Sequence, residues 1–461
     1  MSLHRWGLLF LLGWSQWAWA GSDKADAFLR AEMARNHIPG AAIAVIRDGK
    51  VIKLAAYGTA NLEWKAPAST RTAFQIASGT KMFTAVLLMD LVGQGKLRLE
   101  DRVCQYISEC PPAWRDITLR HLASHTSGLR PGPVDADNAS VTAAIDAAKR
   151  APLASAPGEK NAYGSDGFVL LTHVLEKAGG APYEQLLRDR IFTPLGMTNS
   201  GFDHATLTEQ HVVLTSDVVT ERSATYQWKT DHQQQYWFIY PYYTLSAGGL
   251  FSSVTDMSRF VSALMSDKLL NADLRSAMWT PPKLNDGKAS GFAVGWTVGQ
   301  YRGRREVAHS GGPALSDTVY YPDDKLAVVV LTNQRKLVPA LAHGVANFYL
   351  PPPPFLHEPG IADSTPDRTE TIKALVPALS QGKAEARHFT GTAKDELADM
   401  NDWFRMKLGG MPPLSRWVLV EDSTDHLSRT YRAVYGKDVT QRWKVTFDAT
   451  GLIAELDVTD E

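Results

Sequence analysis

Residues 78–95 read SGTKMFTAVLLMDLVGQG, a helical length of chain with apolar side chains on nearly every face. A helix of that kind has no side to turn to water and must be enclosed, so the chain has to build a core all round it. One lysine, Lys81, sits inside this segment, three residues after Ser78. Residues three apart share a helix face, which brings the ammonium beside the hydroxyl. A serine in the first turn also feels the positive end of the helix dipole, which favours an alkoxide or a developing oxyanion. Burial lowers the pKa of a lysine, and the neutral amine can then take a proton. Ser-x-x-Lys alone reads equally well as a capping serine and a surface lysine. A lysine among apolar neighbours is costly unless partnered or neutral, and that context points to chemistry.

The rest of the chain arranges itself around this helix. Residues 26–36 read as a helix, and residues 41–57 as two strands meeting at Asp48-Gly49, a tight-hairpin signal. Residues 101–243 are helix-rich, with helical patterns at 140–149 and 167–177; β character returns at 292–300, 305–309, 317–321 and 326–332, with a turn at Asp323-Asp324. Strands at both ends of a helical middle predict an α/β fold, in which one sheet is assembled from residues 21–100 and 246–350 and a helical lobe from residues 101–245. The active site is expected in the cleft between the lobes. The prolines 351–354 open a linker over residues 351–365, expected to be an extended spacer. Residues 366–461 then show helical patterns at 369–381 and 394–408 and strand patterns at 417–420, 427–435, 442–447 and 452–458, a small α+β domain with Trp403, Phe404, Trp417, Tyr431 and Trp443 suited to its core.

The first residues carry Arg5, an apolar run at 6–14 and Ala18-Trp19-Ala20 before Gly21, which reads as a signal peptide spanning residues 1–20. The expectation is an exported protein, periplasmic or secreted, with no membrane span after cleavage. In that compartment Cys104 and Cys110 are expected to form a local disulfide worth about 2 kcal/mol. Lysine plus arginine (48) balances aspartate plus glutamate (49), so no net field would gather nucleic acid or an anionic membrane.

The run Phe74-Gln75-Ile76-Ala77-Ser78-Gly79-Thr80-Lys81-Met82-Phe83-Thr84-Ala85 resembles the active-site serine motif of the class C β-lactamase and D-alanyl-D-alanine carboxypeptidase family, which also holds serine esterases and D-aminopeptidases. Further likenesses follow in the family's order: residues 121–129 resemble its histidine-containing loop, residues 163–171 its tyrosine motif, Ala247-Gly248-Gly249-Leu250 with Asp256 its later glycine turn, and His309-Ser310-Gly311-Gly312 its Lys-Thr-Gly or His-x-Gly strand. The resemblance covers residues 26–333. It implies the β-lactamase/transpeptidase-like fold, in which an antiparallel sheet flanked by helices stands beside an all-helical lobe. It implies Ser78 as the acylated nucleophile, Lys81 as the group sharing its proton, Tyr163 as general base, and the N–H groups of Ser78 and Gly312 as the oxyanion hole. Ser165, His309, Ser310 and Gly311 would contact substrate. Two departures stand out. Ser165 replaces an asparagine that would grip an amide, and His309, mostly neutral at pH 7, replaces a lysine that would attract a carboxylate.

No Gly-x-Ser-x-Gly elbow supports an α/β-hydrolase, and no His-Glu-x-x-His or other metal spacing supports a zinc enzyme, so no metal or cofactor is expected. His121 and His125 are expected to organise their loop rather than to catalyse. The aromatic residues Tyr226, Trp228, Tyr236, Trp237, Phe238, Tyr240, Tyr242 and Tyr243 are expected mainly to pack the lobe. The function that fits is an exported serine hydrolase working through an acyl-enzyme on Ser78. Its substrate would be a small molecule or short peptide, cleaved by D-amino-acid peptidase, carboxypeptidase-like or amidase activity. The alternatives are an esterase or weak β-lactamase on the same scaffold and a non-catalytic penicillin- or peptide-binding protein.

Overall fold

The computed structural model describes residues 13–130, 140–203, 205–207, 212–214, 217–312, 315–335 and 341–461, with side chains from residue 24 onward and backbone alone at 205–207 and 212–214. The chain divides into two compact units, one of residues 1–299 and 306–348, the other of residues 300–305 and 349–461. Residues 1–12 of the expected signal peptide lie outside the described residues, and the first described helix, Gly13–Arg35, runs through the expected cleavage point. No helix among the described residues is long and apolar enough to cross a membrane.

The first unit is built on a seven-stranded sheet whose order joins the two ends of its sequence: Thr297–Tyr301, Arg304–Gly311, Ser316–Tyr321, Leu326–Thr332, Gly40–Arg47, Lys50–Asn61 and Ala66–Pro67. The seam is the antiparallel pairing of Gly40–Arg47 with Leu326–Thr332, where Ile43 faces Val330. Leu326–Thr332 is buried at every position, which is why its run of valines shows no alternation. Asp48 and Gly49 both take left-handed backbone (φ 51° and 73°), the geometry that a two-residue hairpin turn demands.

Within the helical lobe lies the helix Thr80–Gly93, buried from Thr80 through Met89 and again at Leu91, while Val254–Leu264 packs on the sheet. Phe83 stacks on Phe260 with ring centroids 3.9 Å apart. The lobe adds Val141–Lys149, Asp166–Gly179 and Tyr183–Leu187, and carries short hairpins besides, among them Tyr226–Lys229 with His232–Gln235. Cys104 and Cys110 are joined as a disulfide. The architecture is the β-lactamase/transpeptidase-like one, an antiparallel sheet with flanking helices and a helical lobe.

In the second unit a four-stranded antiparallel sheet (Leu414–Asp422, Ser428–Tyr435, Val439–Phe447, Ile453–Asp460) packs against the helices Pro366–Ser380 and Leu397–Leu408. Its core is aromatic: Trp443 lies 5.6 Å from Phe404 and 5.2 Å from Trp417 between ring centroids. Residues 351–365 belong to this unit. Arg416 donates to the carbonyls of Leu356 and Glu358, both at 2.6 Å, and Ile361 N–H donates to the Leu419 carbonyl at 2.9 Å. Buried Arg429 meets Asp363 and Asp422.

Candidate active site

The nucleophile's position is set before its helix begins. Ala77 takes a left-handed backbone (φ 46°), a conformation residues with a Cβ rarely adopt and one that tends to persist where function holds it. This turns the chain from the strand Ala73–Gln75 into the single turn Ala77–Gly79 and then into Thr80–Gly93. The Thr80 hydroxyl donates to the Ala77 carbonyl at 2.7 Å and fixes that turn. Ser78 is left partly exposed, while Lys81, one turn on, is 1% exposed.

The Lys81 Nζ lies 3.0 Å from Ser78 Oγ and donates to the Ala247 carbonyl at 2.7 Å. Burial lowers the pKa of the amine to about 7. A buried polar web holds the Ala247 carbonyl in place. Ser246 Oγ donates to the Phe168 carbonyl at 2.9 Å and accepts from Thr172 Oγ1 at 2.7 Å. Thr84 Oγ1 donates to the Ser246 carbonyl at 2.7 Å and meets the Tyr183 hydroxyl at 2.8 Å. These bonds tie the serine–lysine helix to Asp166–Gly179 and to Leu245–Gly248.

Tyr163 is brought to the same place. Its ring centroid is 5.0 Å from Lys81 Nζ, 4.4 Å from the His125 ring and 5.7 Å from Phe292. Its loop is pinned to His125 on both sides, since Ala162 N–H donates to the His125 carbonyl at 2.8 Å and Gly164 N–H reaches His125 Nδ1 at 3.4 Å. Tyr163 is 52% exposed; partial desolvation moves the phenol's pKa up, and the nearby Ser78 hydroxyl pulls it partly back. Tyr240 lies over Gly248, where an added Cβ would meet its ring at 2.3 Å; burial drives its own phenol up.

The strand Arg304–Gly311 closes the other side. A Cβ at Gly311 would stand 1.9 Å from the Ile76 carbonyl, so only glycine permits this approach, and it sets the Gly311-Gly312 segment against the residues leading into Ser78. Ser316 Oγ donates to the same Ile76 carbonyl at 2.7 Å. His309 is 4% exposed, with its ring 6.3 Å from that of Tyr163 and its Nδ1 2.8 Å from the Ser310 carbonyl. Burial, then the charge of Lys81, lowers its pKa to about 3, and the same causes with His309 bring His125 to about 3. Both rings are therefore neutral at pH 7. Ser310 Oγ donates to Asp317 at 3.0 Å, and exposed Ser165 opens the helix Asp166–Gly179 without making a side-chain cap.

The residues singled out from sequence thus fall into two groups. Ser78, Lys81, Tyr163 and His309 cluster, with Gly311-Gly312 alongside. His121 stands apart as a cap, exchanging bonds with Thr118. Tyr242 bonds Glu176 within the lobe at 3.1 Å, whereas Tyr226 and Trp228 reach the sheet part, Tyr226 accepting from Leu62 N–H at 2.7 Å and Trp228 stacking on His37 at 3.8 Å. Trp237 and Phe238 are exposed, and Gln75 holds this stretch by donating to the Phe238 carbonyl at 2.8 Å. Phe168 and Phe292, and the web around Ser246, went unread in sequence as parts of the site. The regular spacing of Lys81 and Thr84 on one helix face was the available signal for that web. Among the described residues no group of three or more His, Cys, Asp and Glu is arranged to hold a metal ion.

A family model described as Beta-lactamase matches residues 25–347. Penicillin-binding protein 4* of Bacillus subtilis is 26% identical over 318 residues, 66% of this chain and 70% of that protein. Penicillin-binding protein 4 of Amycolatopsis lactamdurans is 35% identical over 190 residues, 39% of this chain and 47% of that protein, so less than half of its length is matched. The solved structure of an octameric penicillin-binding protein homologue from Pyrococcus abyssi aligns at a TM-score of 0.57 and 23% identity, covering 95% of this chain and 90% of that one, a likeness of fold.

Proposed function

The chain belongs to the Beta-lactamase family, and on that premise we propose that it is a serine hydrolase that turns over small amides or esters through an acyl-enzyme on Ser78. The observation that carries this reading is the buried Lys81 amine, with a pKa of about 7, standing 3.0 Å from Ser78 Oγ. A neutral amine keeps one proton on the Ala247 carbonyl and offers its lone pair to the serine hydroxyl. Ser78 Oγ then attacks the substrate carbonyl carbon while its proton passes to Lys81. The N–H groups of Ser78 and Gly312 would hold the resulting oxyanion.

Tyr163, its ring 5.0 Å from Lys81 Nζ, fits a proton shuttle that is acid toward the leaving group and base toward water in the reverse step. A protonated phenol is suited to give its proton to the leaving nitrogen or oxygen as the carbonyl re-forms, and the Lys81 proton can then restore it. Water enters by the reverse sequence and releases the acid.

The serine–lysine–tyrosine set and the family membership support a D-amino-acid peptidase or amidase activity. The neutral state of His309 favours a second reading, ester hydrolysis, because this position gives little pull on a substrate carboxylate. A purely binding role would leave Ser78 acylated but without turnover. The apolar run at 6–14 and Ala18-Trp19-Ala20 support export through a cleaved leader.

Intact-mass analysis after treatment with a fluorophosphonate tests the proposal. One adduct on Ser78 in the wild type and none in Ser78→Ala is expected; equal labelling of both proteins would overturn it. Short p-nitrophenyl esters set against peptides ending in D-alanine then separate the two activities.

A further inference from the structure

In the second unit a groove of about 470 Å³ lies between the helical residues Thr392, Ala393, Glu396, Asp399, Met400 and Trp403 and the strand Ile453–Asp460. The strand contributes five consecutive residues, 454–458. Side chains of a strand alternate between faces, so a cavity on one face would be lined by every second residue. Five in a row means that the groove follows the strand's edge. That strand is the last of its sheet: one edge pairs with Val439–Phe447, and on the other Phe389 bridges Ile453, with Thr390 N–H donating to the Ile453 carbonyl at 2.8 Å, which leaves residues 454–458 with no further strand partner among the described residues. At about 3.3 Å per residue the open edge runs roughly 16 Å, enough for an extended segment of five residues.

The helical wall is made by two helices, Gly391–Asp395 with Thr392 and Ala393, and Leu397–Leu408 with Asp399, Met400 and Trp403 on one face, joined at Glu396. Its floor is apolar. Trp403 and Met400 are partly exposed there, facing Leu456, and Trp403 is braced edge-on by Phe404 at 4.8 Å. The ionisable side chains of the lining are all carboxylates: Glu396 and Asp399 on the helix, Glu455 and Asp457 on the strand. Lys444 stands across from Asp457 in the sheet, and Lys407 lies over the Trp403 ring at 5.2 Å.

We propose that this groove captures an extended, lysine- or arginine-bearing peptide segment of a partner protein, which adds as a fifth strand beside residues 454–458. Main-chain hydrogen bonds along an exposed edge supply affinity, and pockets for alternate side chains supply selectivity. Apolar residues of the segment would meet Trp403, Met400 and Leu456 on the helix side, where Glu396 and Asp399 stand at the rim, while basic residues on its other face would lie beside Glu455 and Asp457. A strand edge alone is unselective; the matching charges specify a basic occupant.

The test uses the full chain and an acetylated, amidated hexapeptide of alternating lysine and valine, with its glutamate counterpart and a copy N-methylated at alternate residues. Saturable binding of the lysine peptide, read by Trp fluorescence and by slowed amide exchange in residues 454–458, is expected, with at least tenfold weaker binding of the other two. The double variant Glu396→Lys, Glu455→Lys, whose positions are exposed or partly so, should lose binding at least tenfold while keeping the fold and the ester-hydrolysis rate. Equal binding of the N-methylated peptide would overturn strand addition. Equal binding by the charge-reversed variant, or no binding of the lysine peptide, would overturn the proposal as a whole.

Discussion

The Ala247 carbonyl accepts a hydrogen bond from Lys81 Nζ at 2.7 Å, while the same nitrogen lies 3.0 Å from Ser78 Oγ. One amine is thus held between a fixed acceptor and the nucleophile, and its reactivity depends on whatever holds that acceptor.

The web around Ser246 is what does so, and Thr84→Val tests it at constant volume. Losing the Thr84 hydroxyl frees the Ser246 carbonyl and the Tyr183 hydroxyl, at a cost of about 1–3 kcal/mol in stability. The expected kinetic result is a fall in kcat of about tenfold with KM little changed, because the effect reaches substrate only through Lys81. A displaced inflection in the pH–rate profile distinguishes this positioning role from simple destabilisation.

Lys81 also writes a signature into stability. Its pKa falls from 10.5 to about 7 on folding, so between those values the unfolded chain holds a proton that the folded chain has released. Stability from this group therefore rises with pH across that window and is lowest below about pH 7. Thermal melts of Lys81→Met should show the largest gain in Tm over wild type near pH 6, shrinking toward pH 10; a gain independent of pH would contradict the assignment.

Ser165→Asn restores a side chain able to donate to and accept from an amide at the exposed head of its helix. Relative kcat/KM for acylamido substrates over plain esters should rise about tenfold. Unchanged ratios in a substrate panel would remove Ser165 from substrate contact.

Cys104 and Cys110 close a short loop. Replacing both by serine should lower stability by about 2 kcal/mol in denaturant melts, with the ester-hydrolysis rate retained.

Much of this was legible because the chemistry is carried by short-range spacing. Ser78 and Lys81 share one helix face, and Asp48-Gly49 marks a hairpin by its own backbone needs. The closure of Gly40–Arg47 on Leu326–Thr332 was readable as strands at both ends of a helical middle. Other features depend on contacts between distant segments. Nothing near Ala247 indicates that its carbonyl receives Lys81, and nothing in the proline run signals that Arg416 will bind the carbonyls of residues 356 and 358. The tyrosine motif marked Tyr163 as a reactive phenol. The upward shift of its pKa arises from partial desolvation by neighbours that only the folded lobe provides.

The most direct test of the account is the rate of Ser78 acylation by a fluorophosphonate, measured in single turnover from about pH 5 to pH 10. A rate that climbs with pH through an inflection near 7 is predicted, since that is where the buried amine becomes free to accept the serine proton. A flat profile, or an inflection only near the pKa of an ordinary lysine, would show that Lys81 is not the base.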